Sequence, residues 1–159
     1  KDPTFRELYD TYGKKLHVST YSLNDTKTEY FSCDTHPYTK VIDVICASIA
    51  IPFMFSAKEI NGNLYVDGGI EEVVPVTPFL NKSSDTVCCI RICMDQKKIE
   101  KIDNVKVFTQ QIVSTMIKNR IEYKNINTIR IDLTDYDIFN FNISDKNKME
   151  MFVKGYLSH

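Results

Sequence analysis

Apolar residues recur along this chain at two spacings, and the change from one to the other predicts alternating helices and strands. Phe5, Leu8 and Tyr9, lying between Pro3 and Gly13, predict a short helix with a glycine stop. Residues 16–21 read as a strand, Asn24-Asp25 as a turn, and residues 28–31 as the returning strand of a hairpin. Residues 39–49 predict a helix with Val41, Ile42, Ile45 and Ile49 turned to a core, and Pro52 ends it. Asn61-Gly62-Asn63 is turn-like and leads into Leu64-Tyr65-Val66, a strand with Asp67 at its tip. Pro75 and Pro78 bracket a constrained loop. Residues 86–94 form a strand apolar enough to be central in a sheet covered on both faces. Residues 105–121 repeat a helical pattern in Val105, Phe108, Ile112, Met116 and Ile117. A strand follows at residues 128–133. Ser144 caps a last helix through Met149, Phe152 and Val153 towards Leu157. The elements together predict an α/β fold, a central sheet flanked by helices.

Length and composition narrow this picture. The 159 residues make one ordinary domain, and 43% apolar with 26% charged residues suits a globular chain with a substantial core. A net charge of −1 gives no electrostatic reason to expect nucleic acid or anionic membrane as a partner. Pairs such as Lys14-Lys15 and Lys97-Lys98 read as solvated faces. The longest apolar run, residues 49–55, contains Pro52 and is far too short to span a bilayer. Five cysteines, an odd number, argue against a complete disulfide framework. Alternation places Cys89 and Cys93 on one face of their strand and Cys88 on the other. No set of four convergent ligands accompanies them, so reduced core cysteines in a cytoplasmic setting are expected, with no metal.

Asp67-Gly68-Gly69 does not fit a packing role. A carboxylate at a strand tip, backed by two glycines, is placed to face a reacting group. The glycines admit positive φ and close backbone approach. Read in order, Ala47-Ser48-Ile49-Ala50-Ile51-Pro52, Phe55, Asn61 through Ile70, and Pro75-Val76 resemble the patatin-like phospholipase family. Residues 13–31, with Thr20, resemble its strand pair. The tail, from Phe141 through Ser144 and Asp145 to Gly155-Tyr156, resembles its closing helix. The resemblance implies a patatin-like α/β/α fold with a mostly parallel sheet, of which residues 1–159 are the C-terminal portion. The family's Gly-rich oxyanion loop and Gly-x-Ser-x-Gly nucleophile are then expected upstream of Lys1. The family often has asparagine shortly after Asp-Gly-Gly, where this chain reads Glu71-Glu72-Val73-Val74.

By that resemblance the complete protein hydrolyses acyl esters of phospholipids with a Ser–Asp dyad. Asp67 is the general base, Gly68 and Gly69 are its backbone support, and Phe53, Phe55 and Tyr65 line an acyl channel. A serine hydroxyl needs such a base, and an ordinary aspartate, with a pKa of about 4, must have its proton affinity raised by burial. Without the surrounding motif, Asp before Gly reads as a turn residue bonded to its own backbone. Ser48 lies on a helix and not on a glycine-flanked elbow, so it does not match the nucleophile. Cys33, Asp34 and His36 read as loop residues, and His159 as a free terminus. Glu71 and Glu72 read as a solvated loop or, at the rim of the site, as groups that disfavour anionic headgroups. No cofactor is implied, and no dedicated calcium loop is present. The expected partners are a lipid ester, a peripheral membrane contact and the N-terminal remainder of the domain, without which the 159-residue chain is inactive. The competing reading is a non-catalytic patatin-derived module that binds a lipid or a protein.

Overall fold

The structure, a computed structural model, describes residues 2–93, 101–118, 126–136, 140 and 142–158. Met94, Lys97, Lys98, Ile121, Phe141 and His159 lie outside the described residues, as do the side chains of Met116 and Ile117. The chain forms two compact units, Lys1–Pro78 with Asp103–Ile121, and Phe79–Ile102 with Glu122–His159.

In the first unit, helix α1 (Phe5–Tyr12) begins at a capping box. The Thr4 hydroxyl accepts from the N–H of Glu7, and the Glu7 carboxylate accepts from the N–H of Thr4. Gly13 ends it in the left-handed region at φ 63°. Strands β1 (Val18–Ser22) and β2 (Lys27–Phe31) follow as a hairpin, then helix α2 (Val41–Ser48). A second hairpin joins β3 (Lys58–Ile60) to β4 (Asn63–Asp67), and the four strands pair in the order β2-β1-β4-β3. All three pairings are antiparallel. Short turns impose this within each hairpin; Asn61 and Gly62, at φ 51° and 86°, form a two-residue turn. The sequence pattern did not predict β3, which has three residues, two of them charged.

Helix α2 covers one face of this sheet, but with a different stripe from the predicted one. Val41, Val44 and Ala47 are buried with Phe5, Phe31, Ile60 and Tyr65, whereas Ile42, Ile45 and Ile49 are exposed. The helix is apolar nearly all round, so periodicity could not choose between the stripes. Asp43 helps fix its rotation through an ion pair of 2.7 Å with Lys58 on β3. Helix α3 (Val105–Lys118) shows the same departure. Val113 is buried, while Val105, Phe108 and Ile112 are exposed.

The parallel pairing lies in the second unit, where β5 (Cys88–Cys93) runs beside β6 (Asn127–Asp132). Cys89 is buried and Cys88 exposed, as alternation requires. Among the described residues β5 is not covered on both faces, because Ile90 and Ile92 are 64% and 53% exposed and its one paired strand is β6. Helix α4 (Asp145–Tyr156) is capped by the Ser144 hydroxyl, which accepts from Asn147, and its Gly155 packs near Ile131. The chain is thus α/β, with one antiparallel and one parallel sheet. All five cysteines are free thiols, and no helix among the described residues is long and apolar enough to cross a membrane.

Candidate active site

Strand β4 delivers Asp67 to the edge of the core. Its partners on β1 are Ser22 opposite Tyr65 and Thr20 opposite Asp67. Residues two apart on a strand share a face, so Tyr65 and Asp67 both point to the side covered by α2. Tyr65 is fully inside. Its ring meets Phe31 edge-on at 5.3 Å, and its hydroxyl donates to Glu29 at 2.8 Å. Thr20, beside Asp67, is also buried. Asp67 lies at the point where the chain leaves the sheet, and its N–H donates to the carbonyl of buried Ala50 at 3.1 Å. That bond joins the segment leaving α2 to the Asp-Gly-Gly segment.

The two glycines serve different purposes, and neither adopts the positive φ that the sequence suggested. Positive-φ glycines among the described residues are Gly13 and Gly62. Gly68 is there for closeness: a Cβ on it would lie 2.9 Å from the backbone C and O of Ser19 and from its Oγ. Gly69 provides a donor. Its N–H gives a 2.7 Å hydrogen bond to Asp67 Oδ1, and the carboxylate thereby caps the short 3₁₀ turn Gly68–Ile70.

Among the described residues, Asp67 Oδ2 accepts no hydrogen bond, so one oxygen is held and the other is available. Burial pushes the carboxyl above its ordinary value of 3.8, and the Gly69 N–H opposes that rise by stabilising the anion. The turn role and a base role are therefore compatible in one residue. Oδ1 does the capping and Oδ2 remains to take a proton.

The three residues predicted to line an acyl channel separate. Phe53 and Phe55 are exposed on the segment that follows Ala50, in a turn closed by the N–H groups of Met54 and Phe55 on the Ile51 carbonyl. Phe53 has φ 67°, a left-handed conformation costly for an aromatic residue, and is 74% exposed. Tyr65 is instead a core residue. Ser48 is the last residue of α2. The Cys33 thiol donates to Asp34 Oδ1 at 3.8 Å, and Asp34 pairs with Lys15 at 2.7 Å, while His36 turns away to stack on Phe31 at 4.1 Å with Nε2 3.4 Å from Glu29. No group of His, Cys, Asp and Glu among the described residues is arranged to hold a metal ion.

Glu71 and Glu72 are the residues whose place the sequence did not reveal. Glu71 accepts from the N–H and hydroxyl of Thr28 at 2.6 and 2.7 Å. Glu72 accepts from the Tyr30 hydroxyl, from the N–H groups of Val76 and Thr77 at 2.9 and 3.0 Å, and from the Thr77 hydroxyl. They fasten the segment after Asp67 to β2.

Residues 2–80, which include every element of this site, match the family model of the patatin-like phospholipases. Over these residues the chain is patatin-like. A relative named "Probable lipid hydrolase 463L", from Invertebrate iridescent virus 6, is 26% identical over 155 residues, which cover 96% of this chain and 49% of the relative. The chain thus spans about half the length of that relative. The patatin-like match ends just after the Glu71–Thr77 segment, so the clasp on β2 lies inside the family region.

Proposed function

We propose that the protein is a lipid acyl hydrolase that cleaves carboxylic esters of phospholipids, and that this chain supplies its general base, Asp67. The observation that supports this reading is the state of the Asp67 carboxylate: half-buried, held at Oδ1, open at Oδ2, and raised in proton affinity. A serine outside residues 1–159 supplies the nucleophile. As its Oγ bonds to the ester carbonyl carbon, its proton passes to Asp67 Oδ2. Collapse of the tetrahedral intermediate breaks the bond to the alcohol, which leaves with the proton from Asp67. Water then attacks the acyl-serine, again giving its proton to Asp67, and the serine recovers that proton as the fatty acid departs. Phe53 and Phe55 contact the acyl chain and the membrane from which it is drawn. The protein works at the cytoplasmic side, without a cofactor.

The test is Asp67→Asn in the complete protein, assayed on phosphatidylcholine vesicles. The amide still accepts from Gly69 but cannot serve as the base, and turnover falls by roughly 10²–10⁴-fold. Retained hydrolysis removes Asp67 from the mechanism. A fluorophosphonate reagent should also label one serine of the complete protein. The alternative reading, a non-catalytic binding module, rests on the lack of a Gly-x-Ser-x-Gly within residues 1–159. It gains if the protein is not labelled and vesicles are bound but not hydrolysed.

A further inference from the structure

We infer that Glu72 is a positioning residue for the Asp67 carboxylate, acting from the opposite side of the sheet through the Gly68–Ile70 turn. This inference rests on the reading of Asp67 as the base.

The geometry begins with the two faces of β2. Glu29 receives the Tyr65 hydroxyl on the helix-covered face, so Thr28 and Tyr30 point to the other. After Asp67 the chain passes to that other face, with Gly68 pressed on Ser19 of β1. Glu71 then reaches Thr28, and Glu72 reaches Tyr30. The Glu72 carboxylate gathers donors from two sides. Tyr30 comes from the sheet, while Val76 and Thr77 come from the chain further on. Bonds to an ionised acceptor are the stronger kind, and several on one carboxylate fix its position in the loop.

The link to Asp67 runs through one carbonyl. The N–H groups of Glu71 and Glu72 both donate to the oxygen of Gly68, at 3.1 and 3.0 Å. That carbonyl and the Gly69 N–H are the two ends of one planar peptide group, and the N–H points to Asp67 Oδ1 at 2.7 Å. The turn is therefore pinned at β4 on one end and, through Glu72, at β2 on the other. Releasing Glu72 loosens the second end, which is then held to β2 by the Thr28–Glu71 bonds alone. The Gly69 donor then wanders from Oδ1, and the carboxylate loses the single hydrogen bond that sets which oxygen faces outward.

Glutamine is the informative replacement. Its side-chain oxygen can still accept from Val76 and Thr77, and its NH₂ can donate to the Tyr30 oxygen, which can accept as well as donate. Alanine keeps neither function.

The experiment compares Glu72→Ala and Glu72→Gln in the complete protein, with two readouts. The first is hydrogen exchange at the Gly69 amide. The second is kcat and KM on phosphatidylcholine vesicles. Glu72→Ala should speed Gly69 exchange at least tenfold while exchange in α2 is unchanged. It should also lower kcat about 10- to 100-fold with KM within about twofold, the loss expected of a small misplacement of a reacting group. Glu72→Gln should restore most of both. Gly69 exchange and kcat that match the parent protein in Glu72→Ala overturn the inference. If Glu72→Ala does not fold, Tyr30→Phe, which removes a single donor, decides by the same two readouts. Exchange is measured without turnover, so this result stands apart from the assignment of the base, which fails only if Asp67→Asn stays active.

Discussion

Ala50 and Asp67 meet backbone to backbone, the N–H of Asp67 donating to the carbonyl of Ala50 at 3.1 Å. The bond couples the exit from α2 to the exit from β4. Phe53 and Phe55 follow shortly after the same anchor, so the exposed aromatic segment and the carboxylate are tied at a common point.

The raised proton affinity of Asp67 fixes the sign of two pH effects. A base must be ionised, so kcat/KM should fall on the acid side with an apparent pKa above the ordinary carboxyl value of 3.8. Stability runs the other way. The folded pKa lies above the unfolded one, so the favourable contribution of the protonated acid is complete below about 3.8 and is lost as pH rises through the folded value. Asp67→Asn should therefore leave the melting temperature at neutral pH equal or higher while removing activity. A lower melting temperature at pH 7 than in the parent protein would contradict this account.

The two glycines should respond differently to alanine. At Gly68 the new methyl meets the backbone of Ser19 at 2.9 Å, and backbone cannot step aside cheaply. Gly68→Ala should cost about 1–3 kcal/mol in urea unfolding. At Gly69 the methyl meets Asp67 Oδ1 at 3.0 Å, and a side chain can rotate away. Gly69→Ala should cost less stability, with its main loss in kcat. Equal stability losses at both positions would refute the distinction.

Phe53 holds a strained backbone at φ 67° with its ring largely in solvent. Phe53→Gly should relieve about 1 kcal/mol of that strain and raise the melting temperature. The same change should raise KM for long-chain phospholipids more than for short-chain esters. A melting temperature that drops would show that the ring is held by packing in the complete protein.

Helix α2 offers a contrast between its two apolar stripes. Val44→Ala opens a cavity against Phe31 and Tyr65 and should cost about 1–3 kcal/mol. Ile45→Ala, on the exposed stripe, should stay within about 0.5 kcal/mol in residues 1–159. Thermal melts of the two variants side by side check both values.

Much of this fold is legible because its local signals agree. Gly13 and Ser144 mark helix ends through groups that bond within one turn, so the sequence alone suffices. Asp67 is legible for a related reason, since a strand, a carboxylate and two glycines are contiguous. What escaped depends on distant partners. Lys58-Glu59-Ile60 has no strand pattern and becomes β3 because Asn61-Gly62 folds it onto β4. The inward stripe of α2 is settled by the shape of the sheet below it. Glu72 is 42 residues from Tyr30, and nothing near either residue predicts their meeting.

The crossing at Gly68, where the chain leaves the helix-covered face of the sheet and presses on Ser19, has a practical corollary for anyone who alters this protein. Asp67 belongs to the helix-covered face, yet the groups that hold the turn behind its carboxylate are anchored on the reverse. Variants with altered turnover can therefore be sought at Ser19, Thr28 and Tyr30, positions that a search confined to the face of Asp67 would pass over.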